Sequence, residues 1–212
     1  MKNILCFGDS NTWGYDARTE SRFPPDVRWP GVLRLALGEG YHIIEEGLCG
    51  RTTVWDDPIE GYKNGKEYLI PCLETHKPLD LVIIMLGTND LKKRFSLSAS
   101  DIAAGAGVLV DAVNKSGAGK NGEAPKVLLV SPPEVGDIGN SRFDEMFGFE
   151  NCVAISKNFS KHFKRITEYY GCTFLDAAPI VIPSPIDAIH FDASEHKKLG
   201  EEIARMVKAI QL

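Results

Sequence analysis

Long apolar runs, an excess of basic charge, paired cysteines and low-complexity tracts are all missing from this 212-residue chain. No stretch approaches the roughly 18 consecutive apolar residues of a membrane-spanning helix, and no membrane role is expected. Lys and Arg number 24 against 29 Asp and Glu, a formal net charge of −5. The densest basic stretch is only Lys92-Lys93-Arg94. A nucleic-acid partner calls for a basic face, so none is expected. The five cysteines (Cys6, Cys49, Cys72, Cys152, Cys172) are an odd number without C-x-x-C spacing. Buried reduced thiols are therefore expected in place of a disulfide framework or a zinc site. The apolar stretch at 1–7 halts at Gly8-Asp9-Ser10, too short for the core of a signal peptide, and the expected location is cytoplasmic.

What is present is the composition of a globular protein, 43% hydrophobic and 25% charged. The length suits one sizeable core, and a single domain over 1–212 is expected. Apolar runs alternate with amphipathic ones. Strands are predicted at 3–7, 41–46, 79–86, 126–130 and 173–175. Helices are predicted at 30–37, 98–116, 150–170 and 194–210. Ser98 with Asp101 reads as a capping box, and so does Asp192 with Glu195. The run LDLVIIML (79–86) is apolar on both faces, as a central parallel strand requires. The whole predicts an α/β fold, a central parallel sheet of about five strands with helices on both faces.

The connections leaving the strands are long (8–29, 47–78, 87–97, 131–149), while those entering them, such as 38–40, are short. Open α/β sheets bind ligands beyond the carboxyl ends of their strands, so these long connections are expected to build the site. They deliver Gly8-Asp9-Ser10-Asn11, Gly47-Leu48-Cys49-Gly50-Arg51-Thr52 and Gly87-Thr88-Asn89-Asp90, with Asp187-Ala188-Ile189-His190 beyond the last strand. Together these hold the parts of acyl transfer. A serine hydroxyl needs a base, which His190 can be for Ser10. The imidazole needs a carboxylate on its other nitrogen. Asp187 supplies it if the loop turns back on itself; Asp192 is its rival. A developing oxyanion needs donors, for which the N–H groups of Ser10 and Gly50 and the Asn89 amide are candidates. His42, His76, His162 and His196 lack this context and read as structural, as do Asp9, Asp90 and Asp176.

The blocks ILCFGDSNTWG (4–14), DVRWPGVL (26–33), IIEEGLCGRTTVWDDP (43–58), KPLDLVIIMLGTND (77–90), APKVLLVSPP (124–133) and DAIHFD (187–192) occur in order across most of the chain. In this it resembles the SGNH (GDSL-type) hydrolases, particularly their bacterial arylesterase/acyltransferase branch. The resemblance implies a three-layer, flavodoxin-like α/β/α fold and a serine esterase acting through an acyl-enzyme without metal or organic cofactor. It implies Ser10 as nucleophile, His190 as base with Asp187 as its partner, and Ser10, Gly50 and Asn89 as oxyanion donors. GDSN stands where many members have GDSL.

The expected substrate is a small acetyl-type ester, with acyl transfer to alcohols as a competing outcome and a sugar-linked acetyl ester as the alternative. Trp13, Tyr15, Trp55, Phe149 and Ile189 are the candidate wall residues. The long loop at 55–78 offers a surface for a homo-oligomer. Other classes fit less well. A two-metal phosphoesterase needs clustered carboxylates and histidines, yet no histidine follows GTND and no D-x-H lies near Asp9. A noncatalytic flavodoxin-like module would seat a phosphate at Gly8–Asn11, but Asp9 sits there and no G-x-x-x-x-G-K-[ST] occurs. An α/β-hydrolase elbow would need glycine where Thr12 stands.

Overall fold

The computed structural model describes the backbone of all 212 residues and the side chains of all but Asn140, Phe149 and Glu150. The chain opens with β1 (Lys2–Gly8), α1 (Ser10–Trp13) and a small hairpin of β2 (Tyr15–Asp16) and β3 (Ser21–Arg22). Next come α2 (Trp29–Leu37), β4 (Tyr41–Gly47), α3 (Gly65–His76), β5 (Leu81–Met85), α4 (Ala99–Lys115) and β6 (Lys126–Ser131). The last part holds α5 (Asp144–Phe147), α6 (Phe149–Ser156), α7 (Phe159–Tyr170), β7 (Thr173–Asp176) and α8 (Ala193–Ala209).

Five strands form one parallel sheet in the order β4-β1-β5-β6-β7. Alternation along each strand divides the core in two. Leu5, Phe7, Val82 and Ile84 face α3, α4 and α7, whereas Ile4, Cys6, Leu81 and Ile83 face α2 and α8. This is the three-layer α/β/α architecture that the alternating pattern predicted. Every residue of β5 is buried, and each such Val or Ile side chain contributes about 1.5–3 kcal/mol. The capping box of α4 forms: Ser98 Oγ accepts from the Asp101 N–H and Asp101 Oδ2 from the Ser98 N–H, both at 3.2 Å.

Three local expectations need correction. The predicted helix at 150–170 is two, α6 and α7, separated at Lys157 and Asn158. Apolar spacing carries on across the break because Cys152, Phe159 and Phe163 all pack on the same core. The connection 47–78 contains α3, whose short apolar stripe and internal Pro71 hide a helix from periodicity. Asp192 is the N-cap of α8 but its side chain makes no capping bond. Glu195 Oε2 instead accepts the Ile182 N–H at 3.0 Å.

Because all five strands run parallel, their carboxyl ends share one edge. There α1 tucks against the end of β4, an approach that requires glycine at position 47, where a Cβ would lie 2.1 Å from the Trp13 nitrogen.

Candidate active site

Ser10 begins α1 immediately after β1, fixed by the Asp9 side chain accepting the Asn11 N–H at 2.9 Å. Its Oγ lies 2.8 Å from His190 Nε2, and His190 Nδ1 lies 2.6 Å from Asp187 Oδ2. All three residues are buried. The loop at 184–190 does turn back on itself: the Ala188 N–H donates to the Ser184 carbonyl and the Ser184 N–H to that of His190. Ala188 takes a left-handed φ of 65°, unusual for alanine, and its carbonyl is held by the Gly136 N–H. That turn lets Asp187 Oδ1 accept the N–H groups of both Ile189 and His190. Burial alone would raise the Asp187 carboxyl, but the bond and charge of His190 with the two amides hold it below its usual range. The rival Asp192 caps α8 through its backbone.

Gly50 and Asn89 open onto the same cavity as Ser10 and His190. Gly50 has φ 82°, and among the described residues nothing accepts its N–H. The Asn89 side-chain amide likewise makes no hydrogen bond within the described residues. The next residue, Asp90, is fully buried and ties this turn to the segment after Gly50 by accepting from the Thr53 N–H and hydroxyl. Burial pushes Asp90 up to about 7, the Thr53 bonds opposing and the nearby Asp9 charge adding. Asp9 is itself pushed up to about 6 by burial, against the Asn11 amide and the charges of His190 and Arg51.

The cavity measures about 490 Å³. Its lining mixes apolar side chains, among them Tyr15, Phe143, Met146, Phe147 and Ile189, with the charged Glu60, Lys63, Lys92, Arg94 and Arg142. The Tyr15 and Phe143 rings flank His190 at centroid distances of 4.4 and 5.9 Å. Of the candidate wall residues, Tyr15 and Ile189 line the cavity, while Trp13 and Trp55 do not. Trp13 lies beneath the Arg22 guanidinium, 5.0 Å from its ring centroid, and Trp55 is exposed. The Phe149 side chain lies outside the described residues.

A serine hydroxyl bonded to an imidazole that is bonded to a buried carboxylate is the arrangement that makes an alcohol nucleophilic. The model of the GDSL-like lipase/acylhydrolase family matches residues 6–198. The chain belongs to this family. As a GDSL-like acylhydrolase it is a carboxylic ester hydrolase. Among solved structures, a carbohydrate acetylesterase from Sinorhizobium meliloti is 42% identical, with TM-score 0.92 over 99% of this chain and 100% of that one. The aryl esterase of M. smegmatis shows the same identity, TM-score and coverage. A lipolytic protein of the G-D-S-L family from Veillonella parvula, 14% identical with TM-score 0.70 over the full length of both chains, shares the fold. No curated protein matches the chain.

Several residues of the GDSL-like site escaped the sequence reading. Asn11, the departure from GDSL, is buried and straddles His190: its Nδ2 donates to the Ile189 carbonyl and its Oδ1 accepts the Phe191 N–H, both at 3.2 Å. Arg51 is buried over the Phe7 ring and donates to the carbonyls of Gly8 and Glu46, bracing the turn that carries Ser10. Asp57 anchors the loop that brings Ile59, Glu60 and Lys63 to the cavity. Its Oδ1 accepts from the Ile59 and Glu60 N–H groups and from Arg94, and Lys92 Nζ lies 3.4 Å from Oδ2. The motif letters hint at Asn11 alone; the other partners are remote in sequence.

Proposed function

We propose that this hydrolase cleaves short-acyl, acetyl-type esters by way of an acyl-enzyme on Ser10. The observation that carries the reading is the hydrogen-bonded line Ser10–His190–Asp187 opening on a cavity that also holds the unpartnered donors of Gly50 and Asn89. Ser10 Oγ attacks the ester carbonyl as His190 Nε2 takes its proton, and Asp187 holds the imidazole in the required tautomer. The N–H groups of Ser10 and Gly50 with the Asn89 amide receive the oxyanion. His190 then protonates the departing alkoxide, and water resolves the acyl-enzyme. These groups suffice for the cycle without a metal or organic cofactor. Phe143, Met146, Phe147 and Ile189 make an apolar mouth that favours an alcohol over water as acyl acceptor, so transfer competes with hydrolysis.

The short acyl group is supported by what crowds Gly50. A Cβ at that position would meet Glu60 Oε2 at 2.5 Å and the Lys63 stem at 3.1 Å. Charged side chains beside the donor are poor company for a long alkyl chain. On a series of 4-nitrophenyl esters, kcat/KM is expected to be at least about tenfold higher for acetyl than for octanoyl. A preference for octanoyl would overturn the reading. A sugar-linked acetyl ester is the second reading, favoured by Glu60 and Lys63 as hydrogen-bonding groups for hydroxyls and by the likeness to the S. meliloti acetylesterase.

Asn11 is assigned the positioning of His190. Asn11→Leu removes both amide bonds and leaves the Ile189 carbonyl and Phe191 N–H unpaired in a buried place. It is expected to lower kcat about tenfold with KM little changed, since small misplacements of a catalytic group weaken the chemical step. The variant is also expected to be about 1–3 kcal/mol less stable. Steady-state kinetics alongside thermal melts check both effects; equal kcat in the two proteins would remove the positioning role.

A further inference from the structure

Outside the cavity lining, three donors of different chemistry meet between β4 and the last turns of α3. Glu46 is the penultimate residue of β4, and Cys72 and His76 stand four residues apart on one face of α3. Glu46, Cys72 and His76 each offer a ligand atom, and these atoms lie within 4.8 Å of one another. His76 Nε2 is already 3.0 Å from Glu46 Oε1.

We propose that Glu46, Cys72 and His76 form a binding site for one divalent transition-metal ion of the zinc class, with water completing a tetrahedral set. Ligand bonds of about 2.0–2.1 Å to nitrogen and oxygen and about 2.3 Å to sulfur place ligand atoms roughly 3.3–3.6 Å apart. The cluster reaches that spacing with shifts of little more than about 1 Å, within the reach of two partly exposed side chains. Thiolate with imidazole and carboxylate is a donor set for Zn²⁺ or Co²⁺ and not for Mg²⁺ or Ca²⁺.

The surroundings support the assignment independently. The Tyr68 hydroxyl donates to Glu46 Oε2 at 3.2 Å, which orients the carboxylate and leaves Oε1 for an ion. Cys72 is buried while Glu46 and His76 are half-buried, so an ion enters from the imidazole side onto a shielded sulfur. Binding releases the Cys72 thiol proton to solvent and gives two anionic ligands to the dication. It joins the edge strand β4 to α3, next to Arg51, which donates to the Glu46 carbonyl and packs over Tyr68. Neither sulfur–sulfur spacing nor any motif in the sequence displays the site, because Glu46 is remote from the Cys72-x-x-x-His76 pair.

The test is titration of the chelator-treated, desalted protein with Co²⁺, followed by absorption. One equivalent is expected to produce a thiolate-to-cobalt charge-transfer band that Zn²⁺ displaces. Cys72→Ser is expected to abolish the band, and His76→Gln and Glu46→Gln to weaken binding at least tenfold. In the wild type a hundredfold excess of Zn²⁺ over its dissociation constant should raise Tm by about 5–10 °C, and much less in His76→Gln. Absence of the band, its persistence in Cys72→Ser, or equal affinity in His76→Gln would overturn the site and place any bound ion elsewhere. Should Cys72→Ser not fold, the two partly exposed positions decide.

Discussion

Asp187→Asn is expected to cut kcat on an acetyl ester by about 10⁴-fold while leaving the fold intact. The asparagine oxygen can still accept the Ile189 and His190 N–H groups that Asp187 Oδ1 accepts now, so the turn survives. Its amide nitrogen, however, faces His190 Nδ1, which becomes an acceptor. The imidazole proton then sits on Nε2 and points at Ser10 Oγ, 2.8 Å away, where a lone pair is needed to take the hydroxyl proton. Labelling of Ser10 by a fluorophosphonate should slow in parallel, and His190→Ala should abolish it within the same assay window. Peptide mapping of the label together with kcat measurement checks the assignment. A loss smaller than about tenfold in Asp187→Asn, or label on a residue other than Ser10, would falsify it.

The second large effect falls on stability. Asp57→Ala removes the carboxylate that buried Lys92 and Arg94 share, together with the acceptor of two backbone N–H groups. Among the described residues Glu60 is then the remaining ion-pair partner of Lys92. Breaking a buried pair from one side costs about 3–5 kcal/mol, a fall in Tm of about 10 °C for a chain of this length. The loop bearing Ile59, Glu60 and Lys63 loses its anchor, so KM is expected to rise more than kcat falls. The pH dependence has a definite sign. Burial would raise Asp57, but the Glu60 and Ile59 amides, Arg94 and Lys92 hold it down at about 2. Its stabilisation is therefore complete above about pH 4 and is lost as pH falls from there toward 2. Asp57→Asn should blunt that acid loss in melts recorded from pH 2 to 7; an unchanged profile would argue against Asp57 as the hub. Buried Asp90 acts in the opposite direction. It is pushed up to about 7, so its burial costs stability progressively as pH rises from about 4 to 7.

Strand β5 was legible because a parallel strand covered on both faces must be apolar throughout, as LVIIM is, and the edge strands β4 and β7 by their shorter apolar centres between turn residues. The place of Ser10 was legible because the carboxyl ends of parallel strands share an edge and Ser10 follows β1 directly, whereas Asp187 and His190 reach it from the loop beyond β7 only because that loop turns back on itself. Helix α3 was not, since it buries only a few residues and contains Pro71. The missing Asp192 capping bond shows the limit of local signals. Glu195 found a better partner in the Ile182 amide, thirteen residues away, and no i, i+3 pattern registers such competition.

By itself the sequence determined the layered α/β architecture and the approximate strand ends, since both follow from short-range periodicity, and it offered Ser10, Asp187 and His190 as candidates for acyl transfer. Only the tertiary structure decided what surrounds them. It set Asn11 across His190, Arg51 against the Gly8 carbonyl, Asp57 between Lys92 and Arg94, and Glu46 beside Cys72 and His76. It also replaced Trp13 and Trp55 with Phe143, Met146 and Phe147 as cavity wall. The reason is physical. Burial and hydrogen-bond partnership depend on which loops meet over the sheet edge, and long connections meet according to side-chain packing that no spacing along the chain records.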